Sequence, residues 1–317
     1  MGGQAVLEGV MMRNGDIYAL AVRQADGQIC AERHHWKSLL VRPWLRLPFI
    51  RGFPILLETI YNGVLALNRS AILYERGSGQ PEKHAFWNAV FSVALALCVA
   101  MALFVVAPHL LSLLMLSFGA GGDVEGFSFH LWDGFYKCAI FGCYLWLISF
   151  IPDINRVFQY HGAEHKTIHA WESGTPLNAR HAFYMSRLHP RCGTTFLLFV
   201  ISVSILLQAI LLPLLLKIWS PATMWGKHCY SLGIKLLLVM PISAAAYELI
   251  RFASNLPEGL LSAILQWPGL ALQRLTTREP ASEQLEVALC ALAEATRDDA
   301  DNMMADSGLP PPGHNFD

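Results

Sequence analysis

The stretch TTFLLFVISVSILLQAILLPLLL, residues 194–216, contains no charged side chain. An α-helix of this length rises by more than the roughly 30 Å thickness of a bilayer's hydrocarbon core. A surface helix of a soluble protein would carry charged residues along one face, and this stretch carries none. It therefore predicts a membrane-spanning helix.

Three other stretches have the same character, at about 85–107, 131–151 and 229–250. The whole chain agrees with them, because 54% of its residues are hydrophobic and only 15% are charged, whereas soluble proteins average about 25% charged residues. We expect a mainly α-helical integral membrane protein with four transmembrane helices, two within 85–151 and two within 194–250.

The basic residues of the loops predict an orientation for these helices. Ten of the 23 Lys and Arg residues precede residue 84, five lie in 152–193 and four follow residue 250, whereas 108–130 has none. Basic loops stay on the cytoplasmic side. We therefore expect both termini and the 152–193 loop to be cytoplasmic, in a multi-pass protein of the cytoplasmic membrane.

The net charge and the spacing of the cysteines indicate which classes of partner and which cellular compartment to expect. The formal net charge is −1, so we expect no nucleic acid partner. The lipid bilayer is the expected partner, and a cytoplasmic protein is a further candidate. The seven cysteines form no CxxC pair, which favours a reduced, intracellular setting. The N-terminus shows no cleavable signal pattern.

The N-terminal residues alternate between apolar and polar instead of forming an apolar run. Asn14-Gly15 and Asp26-Gly27 are typical of tight turns. They predict a cytoplasmic β-meander of three strands over 1–36. Residues 37–84 mix arginine with Trp, Leu and Phe, which predicts an interfacial or cytoplasmic helical segment.

The C-terminal region is predicted to return to the same side of the membrane. Residues 251–300 read as an interfacial or re-entrant segment interrupted by Pro257 and Pro268, followed by an amphipathic cytoplasmic helix. Residues 301–317 read as a disordered tail. We expect 1–36 to pack against the 152–193 loop and this region, because none of the three has a core of its own.

The candidate metal-ligating side chains are concentrated within the 152–193 loop, in the stretch YHGAEHKTIHAWESG, residues 160–174. In a helix, at about 100° per residue, His161, Glu164, His165 and Glu172 share one arc and His169 lies at its edge. Two imidazoles one turn apart can hold a single zinc ion. A solvated polar face or a structural polar network at the membrane boundary is the alternative.

The spacing His161-x-x-Glu164-His165 matches a zinc-protease pattern in which two histidines bind the metal and the glutamate activates a water. We predict His161 and His165 as ligands of a divalent metal, with zinc favoured and manganese an alternative. Glu164 would be the general base.

Further ligands must come from other segments. The candidates are His189 and Cys192 in RLHPRCGT, and Glu248 near the end of the last predicted span. A small packed thiol is an equally good interpretation of Cys192. Glu8 is interpreted as the partner of Arg13 or another basic group, ahead of any catalytic role.

Several of these stretches resemble the YqhQ-like family of bacterial membrane proteins. The resemblance covers residue 2 to about 295, through GGQAVLEGVMMR, YHGAEHKTI, HPRCGT and QRLTTREP. It implies a multi-span inner-membrane protein with a metal site and a metal-dependent activity of unspecified substrate. The residues carried over by position are Glu8, His161, Glu164, His165, His189 and Cys192. Thr195 stands where the resemblance leads us to expect serine.

Three classes of function remain open. The first is a metal-dependent hydrolase acting on a peptide or lipid-linked substrate. The second is a non-enzymatic membrane scaffold or assembly factor with a closed structural zinc site, made by His161, His165, His189 and Cys192. An ion transporter is least favoured, because few ionisable residues were identified in the predicted spans.

Overall fold

The N-terminal part of the computed structural model, which describes residues 1–76, 85–257 and 259–307, is an antiparallel sheet. The sheet has four strands in the order β1-β2-β3-β4: β1 (Gly2–Val6), β2 (Gly9–Asn14), β3 (Ile17–Arg23) and β4 (Ile29–His35). The turns at Gly15 and Gly27, with φ of +58° and +89°, lie where the sequence predicts them.

The fourth strand arises from a turn that the sequence pattern did not reveal. The meander over 1–36 was expected to have three strands, but Glu8 adopts a left-handed backbone conformation with φ of +50°. The chain reverses there, so Val6 pairs with Gly9. The backbone N–H of Arg23 donates to the Glu8 carbonyl at 2.8 Å, which ties this turn to the end of β3.

Both faces of the sheet are covered by helices. One face packs on α5 (Pro152–Glu172) and α11 (Ser282–Ser307) through a cluster that includes Met12 and Leu285. The other packs on α1 (Gly52–Arg76) through a cluster that includes Leu20 and Leu73. This packing matches the expectation that the N-terminal, middle and C-terminal segments share one core.

The remaining helices are mostly apolar. A short 3₁₀ turn at Pro43–Arg46 precedes α1. The others are α2 (Ala85–Met101), a π-helical turn (Ala102–Val106), α3 (Ala107–Ser117), α4 (Phe127–Ile148), α6 (Ala179–Phe183), α7 (Gly193–Ile218), α8 (Met224–Leu237), α9 (Val239–Ser254) and α10 (Leu260–Thr276).

Between two and four of these segments can cross a membrane by length and composition. Phe91–Ser117 and Gly193–Ile218 qualify alone. Two bent pairs, α4 with α5 and α8 with α9, qualify only when each is taken as one span, with bends of 98° and 41°. Helix α5 turns away from α4 and packs on the sheet.

Two sequence-based expectations about the C-terminal region need correction. The segment expected to be interrupted at Pro268 is one helix, α10, that packs along α7. The amphipathic helix also continues to Ser307, past the residue 301 at which a disordered tail was expected. Residues 308–317 of that tail lie outside the described residues.

A close backbone crossing holds the start of α11 against α5. The backbone N–H of Arg278 donates to the Phe158 carbonyl at 2.9 Å. A Cβ at Gly162 would overlap the carbonyl oxygen of Arg278. Only glycine allows the chain between α10 and α11 to pass so close to α5.

We predict that Gly162→Ala destabilises the protein, although alanine is the better helix former. Overpacking against backbone costs about 1–3 kcal/mol, which should lower the thermal unfolding midpoint of the detergent-solubilised protein. Gly142→Ala on α4 is the matched control, because a Cβ there meets no atom of the described residues within 4 Å. Equal midpoints for both variants would contradict the predicted role of Gly162.

Candidate metal centre

Helix α5 and the start of α7 bring three metal-ligating side chains together. Pro152 opens α5 and Gly174, with φ of +65°, follows its end, so the helix covers the whole histidine-rich stretch. His161 and His165 project from it toward Cys192, the residue that caps α7. The potential ligand atoms of these three residues all lie within 4.8 Å of one another.

Hydrogen bonds orient both imidazoles for ligation. His161 Nδ1 lies 2.8 Å from the Thr276 carbonyl, and His165 Nδ1 lies 2.6 Å from the Arg187 carbonyl. A carbonyl can only accept, so each Nδ1 carries the proton and each Nε2 keeps its lone pair. His161 Nε2 lies 3.2 Å from Cys192 Sγ. Metal-binding histidines are commonly held in this way.

The thiol of Cys192 is set up to ionise. Burial opposes ionisation, but the contacts of the sulfur with His165 and Thr194 outweigh it, so the pKa of Cys192 lies below its ordinary value. The Thr194 backbone N–H, at the start of α7, lies 3.4 Å from Sγ, and a helix N-terminus favours a thiolate. Burial lowers the pKa of His165, which keeps its imidazole neutral and able to bind a metal.

Glu164 is a buried carboxylate beside this trio. Its side chain is 4% exposed, and Oε2 has no hydrogen-bond partner among the described residues. Burial raises the pKa of Glu164 to about 8, against the opposing effect of His161. A Cβ at Gly3 would lie 2.8 Å from Glu164 Oε1, so β1 closes one side of the carboxylate.

His189 belongs to a second cluster, adjacent to the first. With His169 and Glu172 it forms another group of potential ligands, and its ring centroid lies 5.7 Å from that of His165. Its Nδ1 accepts from the Arg191 backbone N–H at 3.3 Å, and its Nε2 lies 3.3 Å from Glu172 Oε2. Both ring nitrogens are engaged, so we interpret this cluster as a polar network.

Gln273 of α10 holds the backbone of His189 in place. The side-chain Oε1 accepts from the His189 N–H at 2.7 Å, and Nε2 donates to the His189 carbonyl at 2.8 Å. The amide is fully buried. This clamp fixes the loop that leads into Cys192, and no feature of the sequence pattern pointed to it.

Glu248 lies in neither cluster. Its two carboxylate oxygens accept from the Arg51 guanidinium at 2.7 and 2.6 Å, which joins α9 to the start of α1. An ion pair that uses both oxygens accounts for its position, so the structure does not bring this expected ligand to the metal centre.

Glu8 pairs with a basic group, as expected, but the group is Arg156 of α5 rather than Arg13. Arg156 contacts both carboxylate oxygens, one of them at 2.6 Å. Tyr160 also reaches Glu8, at 3.3 Å. The pair links the β1–β2 turn to the helix that carries the candidate ligands.

The fold and site define a mainly helical protein with a small antiparallel sheet, with helices apolar and long enough to span a membrane, and with a His-His-Cys cluster. The chain belongs to the family described as "Protein of unknown function (DUF1385)", whose model matches residues 47–298. It is 32% identical over 309 residues to "Uncharacterized protein YqhQ" of Bacillus subtilis (strain 168), covering 93% of this chain and 92% of that protein. No solved structure matches it.

Proposed function

We propose that the protein is a membrane-embedded, zinc-dependent hydrolase with its metal centre at the cytoplasmic face. The observation that carries this proposal is the convergence of His161, His165 and Cys192 within 4.8 Å, beside a buried carboxylate oxygen that has no hydrogen-bond partner in the part of the chain that the structure describes.

The donor set fits zinc. Two neutral imidazoles and a thiolate are nitrogen and sulfur ligands, which zinc prefers, whereas magnesium and calcium prefer oxygen. Three protein ligands leave the fourth tetrahedral position open, as in catalytic zinc sites. When bound, the metal would lower the pKa of a water in that position to near 7.

Glu164 supplies the proton acceptor. No described residue makes a competing hydrogen bond to its Oε2, so an ionised carboxylate there can take a proton from a nucleophile. Without a positive charge nearby it stays protonated at neutral pH, because burial raises its pKa to about 8. A cation at the adjacent cluster favours the ionised form, so the base becomes active only when the metal is present.

The position of the cluster points to a substrate at the membrane surface. Cys192 precedes the first residue of α7, which is an apolar helix long enough to span the bilayer. Trp44 and Phe49, 52% and 67% exposed, are apolar side chains suited to the interface on the segment before α1. A peptide or lipid-linked substrate would meet the metal there.

A second candidate is a structural zinc in a non-enzymatic scaffold. The burial of the ligands favours it, because His165 and Cys192 are only 2% and 7% exposed. In that case Glu164 would fill the fourth position as a ligand, and the site would have no place for water or substrate. The packed sheet and α11 would then serve to bind a cytoplasmic protein.

Cobalt substitution distinguishes the two candidates. For the hydrolase, we predict that the visible spectrum of the Co²⁺-loaded protein changes with pH and with added hydroxamate, since both act at an open position. Glu164→Gln should retain cobalt and shift the pH dependence, because its amide cannot accept a proton. A spectrum insensitive to pH and hydroxamate in the unaltered protein would contradict the hydrolase and support the closed site.

We also propose that both termini and α5 are cytoplasmic, on the basis of the loop charges. The loop between α3 and α4 has no Lys or Arg, whereas 152–193 has five. Reporter fusions after residues 120 and 222 should be active outside the cytoplasm, and fusions after 170 and 265 inside it. A fusion after 170 that is active only outside would overturn this orientation and the cytoplasmic metal centre.

A further inference from the structure

A second group of ionisable side chains is buried between the apolar helices, away from the metal centre. All of its members are at most 7% exposed. They are His109 of α3, His130, Asp133 and Lys137 of α4, and His228 and Lys235 of α8. Charged groups among apolar helices are costly and mark functional positions by default.

Four of these side chains form one continuous hydrogen-bonded chain. His228 Nδ1 lies 3.2 Å from His109 Nε2. On the other side of the same ring, His109 Nδ1 lies 3.2 Å from Lys235 Nζ. Lys235 in turn contacts Asp133 Oδ1. The chain therefore runs from an imidazole, through a second imidazole, to an amine paired with a carboxylate.

The charges of this group are unequal. Asp133 faces two amines, Lys235 at one oxygen and Lys137 at 3.5 Å from the other. Lys137 also donates to Gln208 Oε1 at 2.8 Å. With both lysines charged and the imidazoles neutral, the group carries one excess positive charge. It is neutral if one lysine is deprotonated, and only Lys235 is connected to the histidines.

We propose that this chain is a proton-uptake relay in which Lys235 is the site that is loaded. In the unloaded state Lys235 is a neutral amine. It accepts from His109 Nδ1–H, and His109 Nε2 accepts from His228 Nδ1–H. His228 Nε2 then holds a free lone pair.

Loading moves one proton along each link. A hydronium ion from the aqueous side gives its proton to His228 Nε2 and leaves as water. His228 Nδ1 passes its proton to His109 Nε2, and His109 Nδ1 passes its proton to Lys235. The products are an ammonium at Lys235 and two neutral imidazoles protonated at Nε2. Both hydrogen bonds of the His109 ring have reversed, Lys235 still donates to Asp133, and one positive charge is gained.

The entry to the relay lies at the end of the bundle opposite the metal centre. His228 is the most exposed member, at 7%, and lies in the first turns of α8, beside Lys227. Lys227 pairs with Glu125 of the α3–α4 loop, and Asp123 belongs to the same loop. Charged side chains therefore lie in the loop and helix turn next to the position at which a proton would enter.

The end of the relay at Lys235 and Asp133 is buried and lies far from Cys192. Gln208 lies 15 residues after Gly193, or roughly 23 Å along α7 at 1.5 Å per residue, so the relay is remote from Cys192. His130, the remaining histidine, donates from Nε2 to the Val124 carbonyl at 3.0 Å. Its Nδ1 has no partner among the described residues. We assign His130 no step, although it is among the neutral groups that face Asp133.

Nitrogen NMR of ¹⁵N-histidine-labelled protein in lipid nanodiscs tests the relay directly, because it distinguishes the two tautomers of a neutral imidazole. We expect His109 and His228 to change together from Nδ1–H at high pH to Nε2–H at lower pH, with a single midpoint. His109→Gln and His228→Gln assign the signals. Tautomers that do not change with pH, or that change at separate midpoints, would overturn the relay.

Two variants that each remove one charge should shift the pH midpoint of the tautomer change in opposite directions. Asp133→Asn removes the carboxylate that stabilises the ammonium, so the midpoint should fall by roughly one pH unit or more. Lys137→Met removes a competing positive charge, so the midpoint should rise. A shift in the same direction for both would contradict Lys235 as the loaded site. Unchanged helical circular dichroism shows that each variant is folded, whether or not the protein binds a metal.

Discussion

Replacement of His161 or His165 by alanine is expected to reduce bound zinc from one ion per chain to none. Each imidazole supplies one of the three donors that lie within 4.8 Å, and a thiolate with a single imidazole cannot hold the ion through a chelator wash. The measurement is elemental analysis of the purified protein by mass spectrometry. Cys192→Ser should weaken binding strongly, because a hydroxyl stays protonated where the thiol ionises.

The matched control for this prediction is His169→Ala. His169 lies on the same helix, in the second cluster, and its Nε2 lies 2.9 Å from the Leu188 carbonyl. It should therefore retain one zinc ion per chain. Full metal content in both the His161 and His165 variants would contradict the predicted metal site. Loss of metal from the His169 variant alone would show that the metal binds at the second cluster.

The metal-free protein is expected to lose stability as pH rises from about 4.5 to about 8. Burial raises the pKa of Glu164 to about 8, above the value near 4.3 of an unfolded glutamate. The folded state therefore holds a proton that the unfolded state has released. The free energy of unfolding should fall by about 1.4 kcal/mol per pH unit across this window, an upper value for one group.

Unfolding in the presence of a chelator, measured at several pH values, checks this slope. Glu164→Gln should flatten it, because a neutral amide binds no proton in either state. Glu172→Gln is the control. The pKa of Glu172 is lowered despite partial burial, through its contacts with His189 and Arg191, so this carboxylate contributes stability that is lost only toward acid pH. A slope unchanged by Glu164→Gln would show that another group titrates.

Much of the fold and part of the candidate site could be predicted from local sequence patterns. The uncharged stretch 194–216 lies within one continuous helix, Gly193–Ile218, because an apolar segment must satisfy its own backbone groups. Helical spacing placed His161 and His165 one turn apart, and the structure confirms that their rings are adjacent, with centroids 4.5 Å apart. Glycine turns located two reversals of the sheet.

Other features depend on contacts between distant segments, and local spacing has no information about these. His189, Cys192 and Glu248 were the candidates for a further ligand, and among the described residues only Cys192 joins the group formed by His161 and His165. The cap of α7 and the hydrogen bonds of Gln273 hold Cys192 and His189 in these positions. Glu248, predicted as a candidate ligand from its place near the end of a span, instead pairs with Arg51, 197 positions away.

The sequence by itself determined the apolar helices, the alternating N-terminal strands and the histidine spacing, because each follows from side chains within a few positions of one another. Only the tertiary structure decided which nitrogen of each imidazole is free, since the carbonyls of Thr276 and Arg187 that take the Nδ1 protons come from other segments. It also decided that Asp133 of α4 and Lys235 of α8 share one buried contact. Burial of a charged group costs free energy that a partner must offset, and for Lys235 only packing against another helix brings that partner.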